Sequence, residues 1–480
     1  MYASGVPLGL LTDAKGPRTT TLLGAVTLLI GYYPIYQAYE NGKGSLGVAF
    51  LCFFAFLTGF GGCSAFSAAI KTAASNFPDH RGTATAFPLA AFGLSAFFWS
   101  TVSTLIFKDD TGRFLLLLAL GTSILSLVSI PLLKILPPSD SYFPISQPPR
   151  PVESTRLHRT RSNAGDPDEA GTHSTTAFES QPPVHARSLS SVSNPRPQTL
   201  NPDHDENSSL VSSKYAHRPS HGSIDNEDDD ALSDVDHDSH NPDIRGLAML
   251  PKVEFWQLFL TMALLSGIGL MTINNIGNSA KALWNYYDDS ASHKFVQQRQ
   301  VMHVSVLSFG NCIGRLSSGI GSDLLVKKLN MSRFWCLFVS AVVFTLTQLA
   351  GSAISNPNTL IAVSTFTGVA YGFLFGVFPS LVAHTFGIGG LSQNWGVMTL
   401  APVLSGNIFN LLYGRIFDKH SVVGPNGDRD CPDGLGCYQA AYYMTFFSGI
   451  AGIAVCLWSI LREKRQHGSH RKKAVHDRLA

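Results

Sequence analysis

One arginine of this sequence lies deep inside an apolar stretch, where a charged group is costly. Arg315 falls within the apolar run 301–324, eight residues before Asp323, which corresponds to about 12 Å along a helix. A guanidinium at such depth in a membrane needs a wet cavity or a partner. Its planar fork suits a carboxylate or a phosphate. We interpret Arg315 as the group that binds an anionic solute; a structural arginine paired across helices is the alternative.

Three amide side chains extend this candidate solute site. Asn311 lies one turn before Arg315 and on the same face of a helix. Asn275 and Asn407 lie in two other apolar runs. We predict that all three asparagines contribute to solute binding, with hydrogen bonding between helices as the alternative for Asn275 and Asn407.

A short pattern of glycine, aspartate and basic residues occurs twice and marks two halves of the chain. Gly9 is followed by Asp13 and Arg18 in the first copy, and Gly319 is followed by Asp323 in the second. Glycine lets two helices approach closely, and a carboxylate accepts hydrogen bonds from the N-terminus of a neighbouring helix. We predict that these five residues form a cytoplasmic gate. The alternative is a packing glycine beside a solvated aspartate.

The composition places these residues in a membrane protein. The 480 residues are 45% hydrophobic and 14% charged, and apolar runs of about 18 residues or more, the length that crosses a bilayer, recur along the chain. The predicted spans are 19–39, 46–70, 83–107, 114–136, 255–276, 301–324, 334–353, 360–385, 396–417 and 440–461. With the partial segment 1–12, this is about eleven of the twelve helices that two six-helix halves contain. We therefore expect an N-terminally truncated chain that lacks its first helix.

The polar residues are concentrated between the two groups of spans. The chain divides into an N-terminal transmembrane bundle at 1–136, a linker at 137–250, a C-terminal six-helix bundle at 251–461 and a basic tail at 462–480. We predict that the linker is disordered because its composition cannot bury enough apolar surface. Lysines and arginines of the short loops place the linker and the tail in the cytoplasm. Ser162 and Ser188 follow arginines and are candidate kinase targets, or else incidental serines.

Two of the seven cysteines differ from the others in their surroundings. Cys431 and Cys437 lie in a polar loop that this orientation places outside the cytosol, where a disulfide can persist. We predict a disulfide between them, with two unpaired thiols as the alternative.

Several classes of function lack their signatures in this sequence. It contains no Gly-x-x-x-x-Gly-Lys-Ser/Thr phosphate loop, no metal-ligand cluster and no nucleophile–base motif. It also lacks a basic cluster with interleaved aromatic residues, which is typical of nucleic-acid binding. We expect no enzymatic activity, no cofactor and no nucleic-acid partner. The expected partners are a small-molecule solute and the lipid bilayer, with a coupling proton and a kinase as further candidates; both the plasma membrane and the vacuolar membrane fit.

The repeated motif and the long polar linker resemble the major facilitator superfamily. The segment 9–18 and its echo at Asp323 carry this resemblance. Asn-Phe-Pro at 76–78, Arg-Gly at 81–82 and Gly-Leu-Ser at 93–95 look like the nodulin-like branch found in fungi and plants.

One segment is similar to the eighth helix of monocarboxylate transporters. The sequence at 310–315 is Gly-Asn-Cys-Ile-Gly-Arg. In that family an aspartate precedes the arginine by four residues, and the pair serves proton-coupled carboxylate binding. Arg315 matches the family's arginine, and Asn311 stands where the family has the acid.

The resemblance implies an all-α polytopic membrane protein of the major facilitator fold, with two pseudo-symmetric bundles, alternating access and a site at the midplane. We predict a secondary active transporter of a small organic solute, in particular an anion such as a monocarboxylate. A non-transporting receptor or scaffold that signals through the linker is the alternative. A third hypothesis is an inert product of a truncated chain.

Overall fold

The chain is helical through most of the residues that the structure describes. The structure is a computed structural model that describes residues 2–42, 44–107, 110–136, 243–288, 290–423 and 429–479. Most of the predicted linker, with Ser162 and Ser188, lies outside these residues. We call residues 2–136 the first half and residues 243–479 the second half.

The first half contains five helices, as many as its apolar runs predict. They are α1 (Gly5–Lys15), α2 (Pro17–Asn41), α3 (Val48–Asn76), α4 (Arg81–Val102) and α5 (Thr111–Ser129). A short 3-10 turn, Tyr2–Ser4, precedes α1, and a π-helical turn, Ser103–Phe107, prolongs α4. The glycine at position 16 has a φ of 84° and breaks α1 from α2, a backbone conformation that glycine adopts without strain.

The second half contains seven helices and one short hairpin. The helices are α6 (Val253–Tyr287), α7 (His293–Leu329), α8 (Phe334–Gly351), α9 (Leu360–Phe386), α10 (Leu391–Met398), α11 (Leu400–Lys419) and α12 (Gln439–Leu479). The strands β1 (Val422–Val423) and β2 (Arg429–Asp430) pair antiparallel. A single predicted span, 396–417, is thus divided between α10 and α11. The predicted basic tail continues α12 as a helix as far as Leu479.

The predicted end of the linker is wrong. Residues 243–250, just before α6, pack on α9 and α10, although the predicted linker includes them. The Ile244 amide donates to the Phe386 carbonyl at 2.9 Å, and the Gly246 amide donates to Asn394 Oδ1 at 3.0 Å. The side chain of Met249 is fully buried. This segment therefore belongs to the second half, because its backbone amides and an apolar side chain find partners there.

Most of the long helices have the length and composition of membrane spans. Among the described residues, eight segments meet both requirements. The two other long helices, α2 and α7, are long enough but less apolar, and α7 carries the polar face that includes Asn311 and Arg315. The most buried span is α9, where 67% of the apolar window is inside the protein, against 11% in α5. The second half is thus built around α9.

Glycines bring α7 and α9 into backbone contact. A Cβ added at Gly372 would lie 2.3 Å from the Asn311 carbonyl oxygen, and one added at Gly368 would lie 2.3 Å from that of Leu307. Real side chains never come so close, so these positions accept only glycine while the backbone stays in place. This spacing of small residues is the usual means of close helix packing in membranes.

Replacing Gly314 with alanine should destabilise the protein, whereas Gly321→Ala on the same helix should not. A Cβ at position 314 would lie 2.3 Å from the Val369 carbonyl oxygen, while no described atom outside the local helix comes within 4 Å of one at position 321. Overpacking of this kind costs about 1–3 kcal/mol. We expect a lower melting temperature for the detergent-purified Gly314→Ala protein and an unchanged or higher one for Gly321→Ala. Equal melting temperatures would contradict the close contact.

Candidate functional site

The first half reaches the second half through Asp13. Its Oδ2 accepts a hydrogen bond of 2.8 Å from the backbone amide of Gln393, in the first turn of α10. Its Oδ1 lies 3.0 Å from Lys71 Nζ. The same ammonium group donates to the carbonyls of Ile388 at 2.5 Å and Gly389 at 3.0 Å. Both side chains of the ion pair are only 9% exposed. Asp13 and Lys71 thus clamp the start of α10 from the opposite half.

Asp323 of the second half makes the corresponding contact with the first half. Its Oδ1 accepts from the Gly82 amide at 3.1 Å, and its Oδ2 accepts from the amide and the hydroxyl of Thr83 at 2.6 and 2.8 Å. Arg333 Nη1 donates to the same carboxylate at 2.8 Å. Asp323 therefore caps the N-terminus of α4, where a negative charge also suits the helix dipole.

The two contacts are equivalent under exchange of the halves. In each one, an aspartate accepts from the first turn of a helix in the other half and pairs with a basic side chain of its own half. The glycine four residues earlier lies where the helices touch: a Cβ at Gly9 would be 2.2 Å from the Ser392 carbonyl oxygen, and one at Gly319 would be 2.6 Å from that of Gly82. We call these two regions the aspartate contacts.

Arg18 does not take part in the aspartate contacts in this structure. Its Nε donates to the Leu133 carbonyl at 2.9 Å, and its Nη2 donates to the Pro131 carbonyl at 3.4 Å. Both carbonyls belong to the chain that follows α5 in the same half. The structure thus places Arg18 against the C-terminal end of α5, where a cation meets unsatisfied carbonyls, and these bonds do not reach the second half.

Arg315 is buried where α7 of the second half meets α4 of the first. Only 1% of its surface is exposed. Its Nε donates to Asn311 Oδ1 at 2.9 Å, and its Nη1 donates to the Leu89 carbonyl at 2.7 Å. The guanidinium carbon lies 5.4 Å from the ring centres of both Phe92 and Phe375. Asn311 therefore orients the guanidinium, as the one-turn spacing predicts, and α4 supplies the carbonyl.

A cleft of about 460 Å³, including its open mouth, borders Arg315. Its lining combines residues of both halves: Tyr2, Gly5, Cys63, Phe66, Ser67, Phe92, Arg315, Phe375, Trp395 and Thr399. Among these lining residues Arg315 is the only one with a charged side chain. In this conformation the cleft is narrow, with about 20 Å³ open to the centre of a water molecule, which is room for about one water. We call this space the central cavity.

None of the three predicted asparagines is among the residues that line the central cavity, and Asn311 reaches it only through its hydrogen bond to Arg315. Asn275 Nδ2 donates to Asn410 Oδ1 at 2.7 Å and to the Met271 carbonyl at 2.8 Å, so it joins α6 to α11. Asn407 is exposed, and its Nδ2 donates to the Val403 carbonyl at 2.7 Å within its own helix. Hydrogen bonding with helices thus accounts for both side chains here.

A disulfide and an ion pair hold the polar loop that precedes α12. Cys431 and Cys437 form a disulfide, and Asp430 forms an ion pair with Lys281 at the end of α6. No group of three or more histidine, cysteine, aspartate or glutamate side chains within the described ranges is arranged to hold a metal ion.

The partners of the aspartates are what the sequence reasoning missed. Gln393 contributes a backbone amide, which every residue has, so its type gives no signal. Lys71 gave a usable signal, because it is a charged residue at the end of the apolar run 46–70. Phe375 and Phe92 belong to apolar runs in which an aromatic residue at a cavity looks the same as one in the core.

Removing the Asp323 carboxylate should open the side of the protein that the aspartate contacts close. In a background with Cys63 as the sole free cysteine, we expect Asp323→Ala to increase the rate of Cys63 alkylation by a small thiol reagent several-fold. The partly buried Arg333 would lose its anion, and α4 would lose its cap. Asp110→Ala removes an exposed aspartate that pairs with Arg113 within the first half, and it should leave the rate unchanged. Equal rates in both variants would contradict a role of Asp323 in closure.

Comparison with known proteins agrees with this architecture. The model of the Major Facilitator Superfamily matches residues 1–387. An uncharacterized membrane protein of Saccharomyces cerevisiae is 27% identical over 481 residues, which cover 93% of this chain and 85% of that protein. A protein of Neurospora crassa named probable transporter mch1 is 25% identical over 507 residues, which cover 94% and 79%.

Among solved structures, one that the chain matches is that of the Escherichia coli fucose:proton symporter FucP. It matches with a TM-score of 0.45 and 10% identity over 94% of this chain and 88% of that chain. The family match over residues 1–387, together with the long apolar helices, identifies the chain as an integral, multi-pass membrane protein. The chain belongs to the Major Facilitator Superfamily, a family of membrane transporters.

Proposed function

We propose that this protein is a secondary active transporter of a small organic anion, with a monocarboxylate as the best-fitting class. The proposal is carried by Arg315, the charged side chain that borders a cavity formed by both halves. A guanidinium offers two parallel N–H groups to a carboxylate, and a site away from bulk water strengthens that interaction. The plasma membrane and the vacuolar membrane are both suitable locations for such an activity.

The free donors of Arg315 support this assignment. A guanidinium has five N–H groups, and two of them are used by Asn311 and by the Leu89 carbonyl. The remaining groups are available to a carboxylate that enters the central cavity. A bidentate carboxylate would also draw Nη1 from Leu89, whose carbonyl is a neutral and therefore weaker acceptor. Binding of the anion would thus weaken one link between α7 and α4.

The aspartate contacts supply the alternating access that such a transporter needs. They hold α1 against α10 and α4 against α7 on one side of the central cavity. In the orientation that we propose from the loop charges, this is the cytoplasmic side, so the conformation is closed toward the cytoplasm. Rocking of the halves would separate both contacts and open the cavity there. Gly9, Asp13, Gly319 and Asp323 are the gate residues of this proposal.

Arg315→Ala should abolish uptake of the anion without preventing membrane insertion. We expect uptake of labelled monocarboxylates into proteoliposomes to fall to the level of empty vesicles, because the described residues that line the cavity include no other charged side chain. Arg315→Lys should retain a weaker activity, since an ammonium group keeps the charge but loses the planar fork. Arg113→Ala, which removes a surface arginine with a side chain 78% exposed, should transport normally. Full uptake by Arg315→Ala would refute the proposed function.

Asn311→Asp should make transport depend on pH. Asn311 Oδ1 already accepts from Arg315 Nε at 2.9 Å, so an ionised aspartate there would neutralise the guanidinium and compete with the solute. We expect affinity for the anion to fall by about tenfold at neutral pH, equivalent to about 1.4 kcal/mol. Protonation of this carboxylate at acidic pH would restore affinity. Uptake measured from pH 5 to 8 should therefore rise toward acid more steeply in the variant than in the native protein, and parallel profiles would contradict the proposal.

A further inference from the structure

Aromatic rings surround Arg315 from both halves of the protein. The rings of Phe92 on α4 and Phe375 on α9 each have their centre 5.4 Å from the guanidinium carbon. Phe66 packs against Phe92 with ring centres 4.9 Å apart, and Tyr2 stacks on Phe375 at 6.2 Å. The rings of the first half, Phe66 and Phe92, are only partly buried, and all four border the central cavity. A solute at Arg315 therefore meets aromatic surface.

The hydroxyl groups of the lining are already engaged within the protein. Ser67 Oγ lies 3.3 Å from the hydroxyl of Thr12, and Tyr2 shares a hydrogen bond of 2.9 Å with Tyr371. Thr399 Oγ1 donates to the Gly396 carbonyl at 2.7 Å. A hydroxylated solute would give up its bonds to water in this cavity and find few replacements, which is costly. A second carboxylate would meet no second cation among the lining residues.

We infer that the solute is a monocarboxylate with an apolar tail, preferably an aromatic ring, and that Phe92 is a residue that determines this specificity. The inference rests on the proposed function and adds the chemical class of the tail. The carboxylate binds the free edge of the Arg315 guanidinium, and the tail lies among Phe66, Phe92, Phe375 and Trp395. Rings favour edge-to-face and offset contacts with one another, beyond the gain from burial of apolar area. The same surface disfavours small hydroxylated acids and excludes dicarboxylates.

Uptake of two labelled anions of equal charge tests this inference in proteoliposomes that contain the full chain. The probes are phenylacetate and lactate. We expect kcat/KM for phenylacetate to exceed that for lactate by at least about tenfold, the lower end of what an apolar pocket discriminates. Unlabelled succinate in excess should not compete with phenylacetate.

Substitution of one ring separates specificity from a merely structural role. Phe92→Ala should reduce phenylacetate uptake while lactate uptake persists, so that the preference falls to within about twofold. Phe92→Leu, which remains apolar, should keep part of the preference. Phe87→Ala removes an exposed ring of the same helix that does not border the cavity, and it should keep the native preference.

The other outcomes distinguish the failure of this inference from that of the proposed function. Equal kcat/KM for both anions in the native protein would overturn the inference and leave the transport of anions intact. An equal loss of both activities in Phe92→Ala would show that the ring only positions Arg315, which also overturns it. Uptake of neither anion by correctly inserted native protein would refute the proposed function itself.

Discussion

The architecture depends on a reciprocal interaction in which each half places one carboxylate on the first turn of a helix in the other half. Hydrogen bonds to a charged group contribute about 1.5–3 kcal/mol each, but a buried carboxylate also loses its hydration. The basic partners Lys71 and Arg333 offset part of that loss. The net stabilisation from each contact is therefore smaller than the sum of its hydrogen bonds.

The helix α7 connects this interaction with the candidate solute site. Asn311, Arg315, Gly319 and Asp323 follow one another at intervals of four residues, so they occupy one face of a single helix that lies against α4. Arg315 and Asp323 are about 12 Å apart along its axis. The same helix makes backbone contact with α9, so the helix that carries both charged groups is packed against one helix of each half.

Local features were predictable from the sequence, and long-range partners were not. Helical periodicity puts Asn311 beside Arg315, and the repeated Gly-x-x-x-Asp pattern identifies both aspartates, because each depends on residues close together in the chain. Their acceptors and donors in the other half lie hundreds of residues away, and the Gln393 amide and the Leu89 carbonyl are backbone groups without a sequence signature. Asn275 and Asn407 were predicted to bind the solute. The side-chain amide of each donates instead to a carbonyl in the preceding turn of its own helix, a bond that any asparagine in a helix can form.

The disulfide between Cys431 and Cys437 has a consequence for the biogenesis of the protein. The loop that carries it joins α11 to α12, and such a bond survives only in a compartment where the glutathione pool does not reduce it. In the proposed orientation the loop is translocated out of the cytosol during insertion, and oxidation follows. A chain inserted upside down would keep both thiols reduced. The oxidation state of these two cysteines therefore reports the orientation of the protein in the membrane. A gel-shift reagent for free thiols can distinguish correctly inserted molecules from inverted ones.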